Sequence, residues 1–340
     1  MSTHHKKVTI YQVADRAKVA ISTVSRVLND SPNVSEETKK RVKQAIQELN
    51  FRPQVSARHL ASRKPHMLAI AVPSFTTPYY NEVLKGVKDQ LQEMDLDIII
   101  YNTGSKNPDE AIENFFDRGT ADAIITISIN ISDQVHNQIQ ASGVPTVLIG
   151  SSHPDYDYFD FNDYQGGIMA AEHLVSQGYS RIGAIRPAVG TKASTDRLEG
   201  FKDALKKHNV PLEERFIVTG ESTKHAGFTE EAGFEAINRY KELGAFPDAI
   251  FALNDTQAIG ALHALSKIGM KIPDDIAVMG YDNIKLSKYL ELTTIDQQMH
   301  TMGLNATKRL QELISRPDSK HRQVKVQPIL VERNSTKKPK

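Results

Sequence analysis

The chain has 340 residues, 39% hydrophobic and 24% charged, with a net charge of +1 and no cysteine. That length allows two or three domains with buried cores, while the lack of cysteine removes disulfides, thiol nucleophiles and thiolate metal sites. No apolar run reaches the roughly 20 residues that span a bilayer, and no charged-then-apolar leader opens the sequence, so a cytoplasmic, nucleoid-associated protein is expected.

The near-neutral total hides an asymmetry. Through His66 there are 13 Lys and Arg against 5 Asp and Glu, which leaves 29 against 36 in the remainder. A basic head on an acidic body fits one module built for a polyanion and another that is not.

In chain order, Ile10, Val13, Ala14 and Ala17 recur at helical spacing behind Thr9, a suitable N-cap. A short link through Lys18, Val19 and Ala20 precedes a second helix over about 21–29, with Val24, Val27 and Leu28 as its inner face. Ser35, followed by Glu36 and Glu37, announces a third helix, whose buried stripe is Val42, Ala45, Ile46 and Leu49. Three short helices with a tight first turn make a helix-turn-helix, which enters the major groove by the start of its second helix. Arg26 has the donors to bond O6 and N7 of a guanine; on spacing alone, a weak surface pair with Asp30 is the favoured reading.

Residues 53–65 lie between two prolines with too little apolar surface to fold alone; an ordinary linker fits that composition. From Met67 short apolar strands alternate with amphipathic helices. Strands are expected near 67–72, 98–101, 123–127, 145–149, 181–185, 216–218, 249–252 and 277–280. Helices are expected near 79–94, 112–118, 166–177, 197–208, 229–243, 258–268 and 302–315. The alternation occurs twice with a break near residue 162, giving two α/β lobes with parallel sheets. Ligands of such sheets bind beyond the carboxyl ends of the strands. The loops there carry hydroxyl, amide, carboxylate and aromatic groups suited to a neutral polyhydroxylated molecule. Asp255 is equally placed to cap a helix, Phe159 and Phe161 fit a core, and Arg197 fits a salt bridge.

An enzyme is the main alternative for such a body. The sequence has no G-x-G-x-x-G, no P-loop, no G-x-S-x-G and no H-E-x-x-H, and its 12 histidines show no metal-ligand spacing. No catalytic residue, metal or cofactor is expected.

Several stretches resemble one family closely. Thr9-Ile-Tyr-Gln-Val-Ala-Asp15, Ser22-Thr-Val-Ser-Arg-Val-Leu-Asn29, Ser31-Pro-Asn-Val-Ser35 and Asn50-Phe-Arg-Pro53 are similar to the head of the lactose-repressor/galactose-repressor (LacI/GalR) family. Asn162-Asp-Tyr-Gln-Gly-Gly167, Arg197-Leu-Glu-Gly-Phe201, Phe251-Ala-Leu-Asn-Asp255, Met279-Gly-Tyr-Asp282 and Leu292-Thr-Thr-Ile-Asp-Gln297 are similar to its effector-binding body, shared with periplasmic sugar-binding proteins. The resemblance implies an all-α helix-turn-helix head (1–52), a hinge helix (53–65) and a two-lobed periplasmic-binding-protein-like body (66–334). The first lobe would take about 66–162 and 295–325, the second about 163–294 and 326–334, with a disordered tail at 335–340.

The same resemblance implies roles. Thr9, Tyr11, Ser25 and Asn29 would position phosphates, and Ile21, Ser22 and Arg26 would read bases. In the hinge, Leu60 would wedge into the minor groove, with Ser56 and Ala57 beside it. Arg197, Asn254 and Asp282 would contact an effector, and Phe75, Ser128, Asp255 and Gln297 would line its site. A homodimer on a pseudo-palindromic operator, controlled by a sugar or sugar derivative, is the implied assembly. Four positions depart from the family pattern: Lys18 stands for a turn glycine, Ala20 for a capping serine, Asn162 for an aspartate and Asp296 for an arginine.

Overall fold

A computed structural model describes residues 8–28, 31–51, 66–92, 96–104, 107–119 and 121–338. The chain divides into two compact units, Met1–His66 and Met67–Lys340.

The head consists of α1 (Ile10–Ala17), α2 (Ile21–Leu28) and α3 (Glu36–Glu48). Val13, Ala14, Ala17, Val24, Val27, Val42 and Ala45 are buried together with Val34 and Phe51, so the apolar stripes of the three helices form one small core. Ser35 caps α3 by accepting the Thr38 N–H at 3.3 Å. At α1 the cap works the other way: the Thr9 N–H donates to Gln12 Oε1 at 2.9 Å. Lys18 ends α1 at φ 55°, ψ 49°, the left-handed conformation that an L side chain adopts at a cost of about 1–2 kcal/mol. Helix α2 begins without a side-chain cap from Ser22; the Ala20 carbonyl accepts the Thr23 N–H at 2.9 Å.

The body holds β1 (Met67–Val72), α4 (Pro78–Leu91), β2 (Asp97–Asn102), α5 (Pro108–Asp117), β3 (Ala123–Ile127), α6 (Asp133–Ser142), β4 (Thr146–Ile149), β5 (Asp157–Phe161), α7 (Asp163–Ser176), β6 (Ile182–Arg186), α8 (Lys192–Lys207) and β7 (Ile217–Thr219). It continues with α9 (Glu230–Glu242), β8 (Ala249–Ala252), α10 (Asp255–Lys267), β9 (Ala277–Met279), α11 (Lys285–Tyr289), β10 (Thr294–Asp296), α12 (Met299–Ser315), β11 (Gln323–Val326) and β12 (Ile329–Val331).

One six-stranded sheet runs β11-β5-β4-β3-β1-β2 and a four-stranded sheet runs β7-β6-β8-β9. All their pairings are parallel, as the continuous apolar runs Met67–Val72 and Ala123–Ile127 require. β10 and β12 form a separate antiparallel ribbon. The chain passes between the sheets three times: after β5, between β10 and α12, and between β11 and β12.

Two expectations change. The second passage follows Asp296 rather than residue 294, because Thr294–Asp296 pairs with β12. The segment expected as a loose tail from 335 is anchored: Ser335 and Thr336 are buried, and Thr336 Oγ1 lies 2.8 Å from His173 Nε2 and from Thr293 Oγ1.

Candidate functional site

In the head, Ile21, Ser22 and Arg26 are exposed on α2 while Val24 and Val27 are buried. The buried stripe therefore turns one face of α2 outward, with Thr9 exposed and Tyr11 68% exposed on the preceding helix and its cap. Ser25 is half-buried. Asn29 and the hinge residues Ser56, Ala57 and Leu60 lie outside the described residues.

In the body, a cavity of about 440 Å³ sits where the carboxyl ends of both sheets converge, within the size range of small-molecule sites. From the six-stranded side it is lined by Ser74, Thr77, Tyr79, Tyr80, Ser128, Asn130, Gly150 and Phe161. From the four-stranded side come Asp163, Thr191, Lys192, Arg197, Thr223, His225, Phe228, Asn254 and Asp282.

Its floor is a charged array. Helices α7 and α8 touch backbone to backbone: a Cβ on Gly167 would lie 2.0 Å from the Arg197 carbonyl oxygen, and one on Gly200 would lie 2.0 Å from that of Tyr164. This approach brings the start of α7 against α8, and Arg197 Nε donates to Asp163 Oδ1 at 2.7 Å. Arg197 Nη1 donates to the Leu253 carbonyl at 2.7 Å and lies 3.6 Å from Asp282 Oδ1. The guanidinium carbon stands 3.8 Å over the Tyr281 ring, a stacked arrangement that a lysine could not reproduce. Burial opposes the arginine charge, but Asp163 and then Asp282 outweigh it and hold its pKa above the ordinary value. Asp282 is pushed by burial up to about 8, against the pull of Arg197. Its φ of 113° and that of Asn283, 55°, place two consecutive residues in strained backbone at the cavity wall.

The opposite wall is aromatic and hydroxylic. Tyr79 Oη and Ser128 Oγ are 3.1 Å apart; burial raises the Tyr79 pKa well above the usual value and takes that of Tyr80 to about 12, so both keep their protons. The buried Thr77 Oγ1 has no hydrogen-bond partner among the described residues and borders the same space.

Four of the residues expected at an effector site, Ser128, Arg197, Asn254 and Asp282, line this cavity. Asn254 does so while capping α10, accepting the Gln257 N–H at 2.9 Å. Three do not. Phe75 is half exposed and outside the cavity lining. Asp255 is fully buried with its carboxylate turned into the second lobe, where it accepts from the Ile284 N–H, Ser287 Oγ and Thr294 Oγ1 at 2.9, 2.6 and 2.6 Å. Gln297 lies behind the wall and donates to Asp282 through Nε2. Neither departure from the family pattern reaches the lining: Asn162 caps α7 and Asp296 accepts from Asn283 Nδ2 at 3.1 Å. Sequence reasoning counts the 73–80 loop among those at the ligand end of the strands but singles out none of Thr77, Tyr79 and Tyr80, and it misses His225. The aromatic and hydroxyl content of the loop after β1 was its available signal.

A sequence model of bacterial regulatory proteins, lacI family, matches residues 9–54, and a periplasmic binding protein-like domain matches residues 171–336. The HTH-type transcriptional repressor PurR of Mannheimia succiniciproducens is 32% identical over 338 residues, covering 97% of this chain and 99% of the relative. The chain belongs to the LacI family of bacterial regulatory proteins. Among solved structures, the transcriptional regulator CelR in complex with cellobiose is 26% identical with a TM-score of 0.69, over 97% of this chain and 100% of that one. The lac repressor dimer bound to operator and the anti-inducer ONPF shares the fold, with a TM-score of 0.79 at 24% identity, over 97% of this chain and 99% of that one. The LacI-family relatives are transcriptional repressors rather than enzymes, and this chain is a DNA-binding transcriptional regulator of the same kind.

Proposed function

We propose that the chain acts as a cytoplasmic homodimeric repressor on a pseudo-palindromic operator, released from or held on DNA by a neutral carbohydrate bound in the 440 Å³ cavity. Within the head, α2 presents Ile21, Ser22 and Arg26 to base edges, while Thr9, Tyr11, Ser25 and Asn29 fix the phosphates. In the hinge, Leu60 wedges a base step open, flanked by Ser56 and Ala57.

The observation that carries the effector reading is the Asp163–Arg197–Asp282 array beneath an opposing wall of Tyr79, Tyr80 and Ser128. With Asp282 held at about 8 by burial and so mostly protonated near neutral pH, Asp163 alone balances the Arg197 guanidinium, and the array carries no net charge that calls for an ionic ligand. Carboxylate and guanidinium groups bond vicinal hydroxyls in pairs, and the phenol rings cover the apolar face of a sugar. Bound between sheets joined by three passages, such a ligand favours one lobe arrangement over another. The CelR–cellobiose complex is a sugar-bound relative of this fold.

The test is a thermal-shift panel of mono- and disaccharides, sugar acids and nucleosides on the full chain, followed by operator titration with each stabilising compound. A neutral sugar that raises Tm and changes operator affinity is the expected result. Stabilisation by nucleosides or sugar acids alone would reject the carbohydrate assignment.

A further inference from the structure

Outside the cavity, two histidines that neither the fold nor the proposed effector site uses come together on the first lobe. His136 lies in α6, and His153 and Asp155 lie in the connection from β4 to β5. The imidazoles stack with centroids 4.8 Å apart and planes 24° apart. Asp155 Oδ2 is 3.8 Å from His136 Nε2 and 3.9 Å from His153 Nδ1. Ligating atoms of all three lie within 4.8 Å of one another, the one such group of three among the described residues.

We propose that His136, His153 and Asp155 bind a single late first-row divalent metal ion of the zinc type. Two imidazoles and one carboxylate are a known zinc donor set, and the softness of imidazole excludes magnesium or calcium as the preferred ion. Donors held at about 2.0–2.1 Å from a tetrahedral ion stand roughly 3.3 Å apart. The 3.8 and 3.9 Å contacts to Asp155 therefore need a shift of about 0.5 Å, and the two histidine donors, up to 4.8 Å apart, must close by up to about 1.5 Å as the rings turn out of their stack so that both lone pairs point at the ion. Asp155, its side chain 57% exposed, is free to make the first movement; the second falls to ring rotation of His136 and His153, whose side chains are 24% and 19% exposed.

Tyr156 supplies the support such ligands need. Its hydroxyl is 3.0 Å from His136 Nδ1 and 3.4 Å from the His136 carbonyl; in the tautomer that metal binding through Nε2 requires, Nδ1–H donates to the phenol oxygen and the hydroxyl donates to the carbonyl. That tautomer leaves the Nε2 lone pair facing Asp155. His153 Nδ1 accepts a long 3.3 Å bond from the Asp155 N–H, which the ion would replace. The remaining coordination positions open to water. The ion would pin α6 to a connection whose first residue, Gly150, borders the cavity. Sequence spacing gave little sign of this group, because His136 lies on α6, well before His153 and Asp155 in the chain.

The experiment uses the full-length chain near neutral pH, with Zn²⁺ measured by titration calorimetry and Co²⁺ by visible absorption. Expected are one equivalent of each ion and intense Co²⁺ bands, both lost in His136→Asn/His153→Asn and retained in His4→Asn/His5→Asn. Saturating Zn²⁺ should also protect His136 and His153 of the unaltered chain from diethylpyrocarbonate, read by mass spectrometry, which requires no variant to fold. Absence of binding, binding that survives the His136/His153 substitution or disappears with His4/His5, or unprotected His136 and His153 would each overturn the site.

Discussion

Gln297, on the segment that passes from one sheet to the other, donates its side-chain amide to Asp282, a wall residue of the cavity. Asp282 in turn lies 3.6 Å from the guanidinium of Arg197. The group proposed to bond the effector is thus tied to a side chain on the segment that joins the two sheets.

Replacing Asp282 by alanine removes one carboxylate of the array. Because burial holds Asp282 at about 8, the bond lost near neutral pH is mostly that of a neutral carboxyl, worth about 0.5–1.5 kcal/mol, so the effector dissociation constant should rise roughly 2–10-fold. Calorimetry checks this, and the salt dependence of non-specific DNA binding should stay unchanged. An unaltered effector affinity would take Asp282 out of the binding site.

Gly200→Ala places a methyl 2.0 Å from the Tyr164 carbonyl oxygen. The two helices must separate, at about 1–3 kcal/mol, and the 2.7 Å Asp163–Arg197 bond opens with them. A lower Tm together with weakened ligand binding is expected, whereas Gly190→Ala, with nothing within 4 Å, should change neither.

Lys18→Gly relieves the left-handed residue that turns α1 into α2 at φ 55°. After the extra chain entropy of glycine is subtracted, a gain of about 0.5–1 kcal/mol in head stability is expected. Urea unfolding of the isolated head or of the intact chain reads it. A loss instead would mean that the lysine side chain holds the turn.

Arg26→Ala should weaken cognate operator binding by about 1–3 kcal/mol and relax preference at one base pair. Anisotropy titrations against single-base operator variants distinguish this from a uniform loss, which would assign Arg26 to phosphate.

His173 is buried against Thr336, and burial lowers its pKa from 6.5. The unfolded chain therefore takes up this proton first as pH falls, so the contribution of His173 to stability is lost on acidification below about 6.5. Urea melts at pH 7 and pH 5.5 should show His173→Gln less stable than the unaltered chain at pH 7 but with a shallower decline. Equal slopes would contradict the assignment.

The elements legible in the sequence are those whose side chains carry their own burial signal. Met67–Val72, Ala123–Ile127 and Ala249–Ala252 are strands of uninterrupted burial after the first residue, and their bounds follow from the apolar run alone. Asp157–Phe161 and Gln323–Val326 mix apolar with polar residues and are fixed as strands by pairing, the first with Thr146–Ile149 and with Gln323–Val326, the second through a partnership spanning half the chain. Asp133–Ser142 was missed as a helix because only Val135 and Ile139 of it are buried. At the site, Arg197 and Asn254 were found by resemblance. Asp255 shows the limit of that route: its position at the head of α10 is right, but three donors on the 284–294 segment turn its carboxylate away from the cavity. Gln297 fails for a related reason, since one side chain, Asp282, stands between it and the cavity.

Each sheet system waits for the end of the chain. β11 supplies an outer strand of the six-stranded sheet, and Ser335 and Thr336 fill buried positions beside β9 in the other lobe. During synthesis, the first half of the body is not finished before residues 323–326 emerge, nor the second before 335–336. Loss of 323–336 therefore leaves both lobes unfinished, whereas loss of 335–336 alone opens only the second, and either product is a substrate for proteolysis rather than a weak regulator.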